Sequence, residues 1–141
     1  NVNLLYDVVS QSDLDAIEDA MKSLQFQRAA ELVIYLVDKG NKIINATEPW
    51  NLAKEGKQDE IDKVLYTVLD IMRQVSILLS PITPNISTEI WEQLGYSTPL
   101  SDMMWTDILN TPLPAGQSIH LKGPVLPRLE DDIVGATAKK K

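Results

Sequence analysis

The side chains best suited to chemistry cluster at Thr47-Glu48-Pro49-Trp50, with Asn41, Lys42 and Asn45 just before and Lys54 just after. Proline lacks an amide hydrogen and disfavours the helical region for the residue before it, so a helix should end here. It also suits the first turn of a new helix, with Thr47 or Glu48 as the cap. These residues therefore predict a helix-to-helix corner that presents an indole ring beside free backbone N–H groups. An aromatic face, amides and lysines at one junction can stack on and hydrogen-bond an unpaired nucleobase. A tryptophan at a helix corner can equally be a packing residue that plugs the joint. Both readings stand on the residues alone. The surroundings are locally basic: residues 22–57 carry Lys22, Arg28, Lys39, Lys42, Lys54 and Lys57 against Glu31, Asp38, Glu48 and Glu55.

Catalytic groups are scarce. His120 is the single histidine and has no serine or cysteine nucleophile at a recognised spacing, which favours a structural role. Cysteine is absent, so disulfides and thiolate metal sites are excluded. The pair Asp131-Asp132 lies in a predicted tail, and no glycine-rich phosphate loop occurs. The expectation is a binding module with no catalytic residue and no metal ligand of its own. Trp91 and Trp105 each sit in an apolar cluster and are assigned to packing.

The chain of 141 residues is one domain's worth, and 44% hydrophobic with 23% charged residues is ordinary for a soluble globular protein. The formal net charge of -7 argues against affinity gained by covering many phosphates. It is compatible with reading a few splayed bases. No apolar run approaches the roughly 20 residues needed to cross a membrane, and the start lacks a secretory pattern. The expected compartment is the cytoplasm, with no membrane partner.

Helical periodicity sets the frame for the corner. Leu4, Leu5, Val8 and Val9 predict a first amphipathic turn or two, and Ser12 with Asp15 predicts a capping box that opens the next helix. Leu14, Ile17, Ala20, Met21 and Leu24 continue that stripe. Phe26, Ala29, Ala30, Val33, Leu36, Val37, Gly40, Ile43 and Ile44 form the next face, whose small residues would admit a close neighbour. Beyond Glu55-Gly56-Lys57, a wide apolar face from Ile61 through Leu65 to Leu79 predicts the central helix, stopping at Ser80-Pro81. Thr83-Pro84 restarts a helix that Gly95 closes. The expected fold is all-α, an antiparallel helix bundle over residues 1–95. Prolines at 99, 112, 114, 124 and 127 predict an irregular arm over residues 96–134 that packs on the bundle. Residues 135–141 read as a disordered lysine tail.

The order of these segments resembles the C-terminal helical anticodon-binding domain of methionyl-tRNA synthetase, a class I enzyme. The resemblance covers roughly residues 20–130 and is most specific in N-K-x-I-x-x-x-x-P-W-x-L-A-K at residues 41–54. The pattern L-x-P-x-x-P-x-x-x-x-x-I-W at residues 79–91 is shared with the isoleucine, leucine and valine enzymes. Gly116 and Pro124-Val125-Leu126-Pro127-Arg128 fit the methionyl pattern better. The resemblance implies that Trp50 stacks on an anticodon base, that Pro49 shapes the pocket, and that Asn41 lies near the same corner. Lys42 and Lys54 are candidate phosphate contacts, a reading of their position and charge, with solvated helix surface as the alternative.

The resemblance further implies a tRNA partner, that of methionine with the anticodon CAU. It also implies ATP-dependent aminoacylation by a catalytic domain outside these residues, so that ATP is no cofactor of this chain. The arm at residues 113–130, with Leu113 at one end and Glu130 at the other, is expected to dock on that domain and to be loosely held here. Two departures stand out. The family's domain opens with an Asn followed by an Arg; Asn3-Leu4-Leu5 echoes it, but the first arginine is Arg28. The adenylate-chemistry signatures of the family are also absent from these residues. The alternatives are a sister class I synthetase, separable by exchanging anticodons, and a helical protein-interaction module, whose association with its partner would ignore RNA.

Overall fold

The cap that opens the first helix lies two residues earlier than expected. Ser10, not Ser12, accepts from the Asp13 amide at 3.2 Å, and the Asp13 carboxylate accepts from the Ser10 amide at 2.9 Å. Ser10-x-x-Asp13 and Ser12-x-x-Asp15 are alike locally, and the box that forms is the one whose Asp13 also bridges to a distant residue, Lys39, at 3.2 Å. Burial would raise the Asp13 pKa. Hydrogen bonds from the Ser10 amide and hydroxyl, then from Lys39, together with the Lys39 charge, outweigh it and hold the carboxyl below its ordinary value. A depressed carboxylate stabilises the fold above its unfolded pKa, and that stability is lost as pH falls through the folded value. Asp13→Ala should therefore cost about 1 kcal/mol at pH 7, a cost that fades below about pH 4. Parallel urea titrations at the two pH values check it.

The computed structural model describes residues 9–120. The expected turns at Leu4, Leu5 and Val8, the Asn3 echo and residues 121–141 lie outside them. Helix α1 (Gln11–Lys22) is followed by α2 (Phe26–Thr47), α3 (Pro49–Lys54), α4 (Gln58–Leu79) and α5 (Pro84–Gln93). Two 3-10 turns, Leu100–Asp102 and Trp105–Asp107, follow in the arm. Helix α4 packs on α2, α3 and α5, while α1 packs on α2. Gly40 is buried where α2 meets α4, and a Cβ there would sit 3.6 Å from Ile71 Cδ1, ordinary van der Waals contact. The result is an all-helical antiparallel bundle.

Three side chains expected on apolar faces are exposed: Leu24, which lies past the end of α1 with φ of 59°, Phe26 and Leu65. Phe26 is the first residue of α2. Leu65 lies in the N-terminal half of α4, where the buried stripe is Ile61, Val64, Thr67 and Ile71. At 100° per residue Leu65 stands about 120° round from Ile71. It thus points away from the stripe that α4 buries, and it stays at the rim.

In its other half α4 is buried all round, from Arg73 to Leu78. The arm causes this. Arg73 Nε meets Asp70 at 2.7 Å and its Nη2 donates to the Ile108 carbonyl at 2.6 Å. Asp70 also accepts from the Leu113 amide at 2.9 Å and from Gln74 Nε2 at 3.0 Å. The Tyr66 hydroxyl donates to the Leu113 carbonyl at 2.6 Å, and Ile108 and Leu113 are buried. The start of the arm is thus anchored on this bundle by paired polar groups, not loosely held.

Helix α5 closes as expected, at Gly95 with φ of +90°. Gln117 Nε2 donates to the Leu94 carbonyl at 2.5 Å and the His120 amide to the Gln93 carbonyl at 2.8 Å. These contacts lay the arm directly over Gly95, so that a Cβ there would overlap the Ser118 carbonyl oxygen. Gly95→Ala should cost at least about 2 kcal/mol, from the left-handed conformation and the displaced arm together. Loss of hydrogen-exchange protection at the His120 amide would report it.

Candidate nucleic-acid interface

The corner between α2 and α3 is built on one residue in an uncommon conformation. Glu48 has φ of 45° and ψ of 63°, left-handed, and serves as the last cap of α2 and the first of α3. Its amide donates to the Ile44 carbonyl at 3.0 Å. The Glu48 carbonyl accepts from the Asn51 and Leu52 amides at 2.8 and 3.3 Å, and its carboxylate from Asn51 Nδ2 at 2.8 Å. The Thr47 hydroxyl spends itself on the Ile43 carbonyl at 2.6 Å and caps nothing. The expectation of free backbone amides holds only in part: Pro49 has none, those of Asn51 and Leu52 are taken, and that of Trp50 has no partner among the described residues. The following proline signals the break by disfavouring the right-handed region at Glu48; it does not signal the left-handed conformation.

Trp50 is 50% exposed, and α3 buries no residue. An indole that filled the joint would be covered, as Trp91 is at 1%. Trp91 stacks on Tyr96 with ring centroids 3.8 Å apart and donates to the Thr98 carbonyl at 2.8 Å. Burial raises the Tyr96 pKa, only partly offset by the Arg73 charge, so the phenol remains a neutral stacking partner. Trp105 packs half-buried against the core. Packing thus claims two tryptophans, and the third is presented.

Around it, Pro49 is half-buried and Asn41, Lys42 and Lys54 are exposed. Asn41 and Asn45 are one turn apart on one face of α2, with Lys42 about 100° round from Asn41. Lys54 follows Trp50 by four residues, so the two are neighbours on one face of α3. Lys22, Lys39 and Lys57 are paired with Glu18, Asp13 and Glu55. Among the described residues, Lys42, Lys54 and Lys63 have no carboxylate within 4.0 Å. Lys63, in the second turn of α4, was not singled out by sequence; only its lack of a partner marks it.

His120 borders a cleft of about 630 Å³ beside Trp91 and Tyr96. Among the described residues no hydroxyl is hydrogen-bonded to its imidazole. Nor does any group of three or more His, Asp or Glu side chains among them converge on a metal-sized site. Asp131-Asp132 lies outside the described residues.

The model of the family described as the anticodon-binding domain of tRNA ligase matches residues 10–126. The chain belongs to that family. A methionine–tRNA ligase of a Nostoc species is 42% identical to this anticodon-binding domain over 97 residues, 68% of the chain and 18% of the relative. That of Halalkalibacterium halodurans is 32% identical over 130 residues, 92% of the chain and 19% of the relative. The fold resembles that of Mycobacterium tuberculosis methionyl-tRNA synthetase in complex with methionyl-adenylate. The TM-score is 0.66 at 20% identity, over 83% of this chain and 24% of that one. The chain spans about a fifth of the length of the curated relatives it matches.

Proposed function

We propose that this anticodon-binding domain serves a methionine–tRNA ligase and selects tRNA by capturing an unpaired base of the CAU anticodon on Trp50. The observation that carries the reading is the half-exposed indole at a corner held by hydrogen bonds to the Glu48 amide and carbonyl. Flipping a loop base out costs a few kcal/mol, and stacking on an aromatic ring returns about 1–3 kcal/mol per base. Pro49 fixes one wall of the contact, Asn41 offers an amide, and Lys42 and Lys54 approach phosphates. The joining of methionine to tRNA, with its ATP, belongs to a catalytic part beyond these residues, in the cytoplasm. No helix among the described residues is long and apolar enough to cross a membrane.

The same reading directs the outer side of residues 113–130 toward the catalytic part. Residues 121–130 of that stretch lie outside those described, and its beginning is already fixed on α4 by Tyr66 and Asp70.

Few phosphates are engaged in such a complex. With two or three lysines neutralising phosphate, the slope of log K against log salt should be no steeper than about -2. A slope several times steeper would mean a general polyanion binder. Specificity is tested by competition between a CAU hairpin and one carrying an isoleucine anticodon in the same loop. Preference for CAU supports the methionine assignment, whereas preference for the other would move the chain to a sister enzyme.

A further inference from the structure

Glu48 occupies a backbone region that L residues other than Asn and Asp seldom enter, and its φ of 45° is shared by no other residue of the corner. Each alternative would change the corner. The right-handed conformation would run α2 on into Pro49, whose ring collides with the preceding turn. An extended conformation, as Ser10 adopts at the start of α1, would still let the Glu48 carbonyl accept from Asn51 and Leu52 but would turn α3 to a different angle from α2. The left-handed geometry keeps the Ile44 carbonyl bonded behind and the α3 amides bonded ahead while it sets the angle between the two helices. Glycine would meet that demand at lower steric cost, but its freedom would let the corner swing. Glutamate adds something glycine lacks, a clasp from its carboxylate to Asn51 Nδ2 at 2.8 Å that spans Pro49 and Trp50.

We propose that Glu48 is a positioning residue: its left-handed backbone and its clasp to Asn51 fix the direction in which the Trp50 ring leaves the bundle, and so set the affinity for an unpaired base. The conformational cost is borne by the folded chain, and the return is a ring already oriented before a base arrives. The proposal rests on the reading of Trp50 as a stacking platform, but its first readout does not need RNA.

The experiment compares the 141-residue chain with its Glu48→Gly and Glu48→Gln variants. Three quantities are read: thermal midpoint, Trp50 time-resolved anisotropy without RNA, and affinity for a CAU hairpin. The Trp50 signal is isolated by difference from Trp50→Phe. Glu48→Gly is expected to keep or raise the melting temperature, to free the Trp50 ring in the absence of RNA, and to weaken hairpin binding about 3- to 10-fold. Glu48→Gln, whose amide oxygen still accepts from Asn51, is expected to recover the larger part of that loss. A glycine variant with an unchanged ring motion and unchanged affinity overturns the proposal. So does an affinity loss accompanied by an equal loss of thermal stability, the mark of a merely structural role. If the parent chain ignores the hairpin, the anticodon reading fails, and the ring motion still decides the role of Glu48.

Discussion

Trp50→Ala is expected to weaken binding of a CAU hairpin by about 10- to 100-fold, the whole of one base–indole stack. Folding should lose far less. The ring is 50% exposed and α3 buries nothing, so the variant should remain folded, about 1–2 kcal/mol less stable. Trp50→Phe keeps a smaller stacking face and should fall between. The contrast is Trp91, 1% exposed, stacked on Tyr96 and bonded to Thr98, where truncation to Ala should cost about 3–5 kcal/mol of folding stability. Urea unfolding and hairpin titration of the Trp50 variants together check the separation. Equal hairpin affinity in folded Trp50→Ala would remove Trp50 from the interface.

An effect on folding as large as that at Trp91 is expected at Arg73→Ala. Arg73 is 1% exposed, and its loss leaves the Asp70 charge without its cation and the Ile108 carbonyl without its donor. Breaking a buried pair on one side costs about 3–5 kcal/mol, because the remaining charge keeps its desolvation penalty. Against a typical stability of about 5–15 kcal/mol, that is enough to leave the variant marginal. The Asp70→Asn change in the same chain should return part of the loss by removing the orphaned charge. It would still leave the Leu113 amide an acceptor. Hydrogen exchange at Leu113 should rise in the single variant before the helices melt, since Arg73 holds both the Asp70 carboxylate that this amide meets and the Ile108 carbonyl of the arm.

The sequence carried the helix boundaries where chain chemistry is local. Pro49, Pro84, Gly56 and Gly95 mark corners because a missing amide or a positive φ limits what the backbone can do there. It pointed to Ser12 rather than Ser10 as the cap of α1, since the tie from Asp13 to Lys39 comes from 26 residues away. Nor did it show that Arg73 and Gln74 would be buried. A charged residue off the apolar face reads as solvent-facing until the arm is placed, and the Arg73 partner at Ile108 lies 35 residues on. Leu65 erred the other way, because periodicity gives a helix its apolar face but not how much of that face is buried. At the corner, residue types announced an indole and its lysines. Whether the ring was plug or platform depended on its burial and on the conformation of Glu48, which only packing and hydrogen bonding resolve.

The most direct test is a fluorescence titration of the chain with a CAU hairpin and a hairpin of scrambled loop, with Trp50→Phe as the reference. Trp91 is buried and Trp105 half-buried, so the difference signal reports Trp50. Base capture on Trp50 predicts saturable quenching by the CAU hairpin, weak dependence on salt, and none of it in Trp50→Phe. Equal quenching by both hairpins would contradict anticodon reading, and binding of the CAU hairpin with no change at Trp50 would contradict the platform itself.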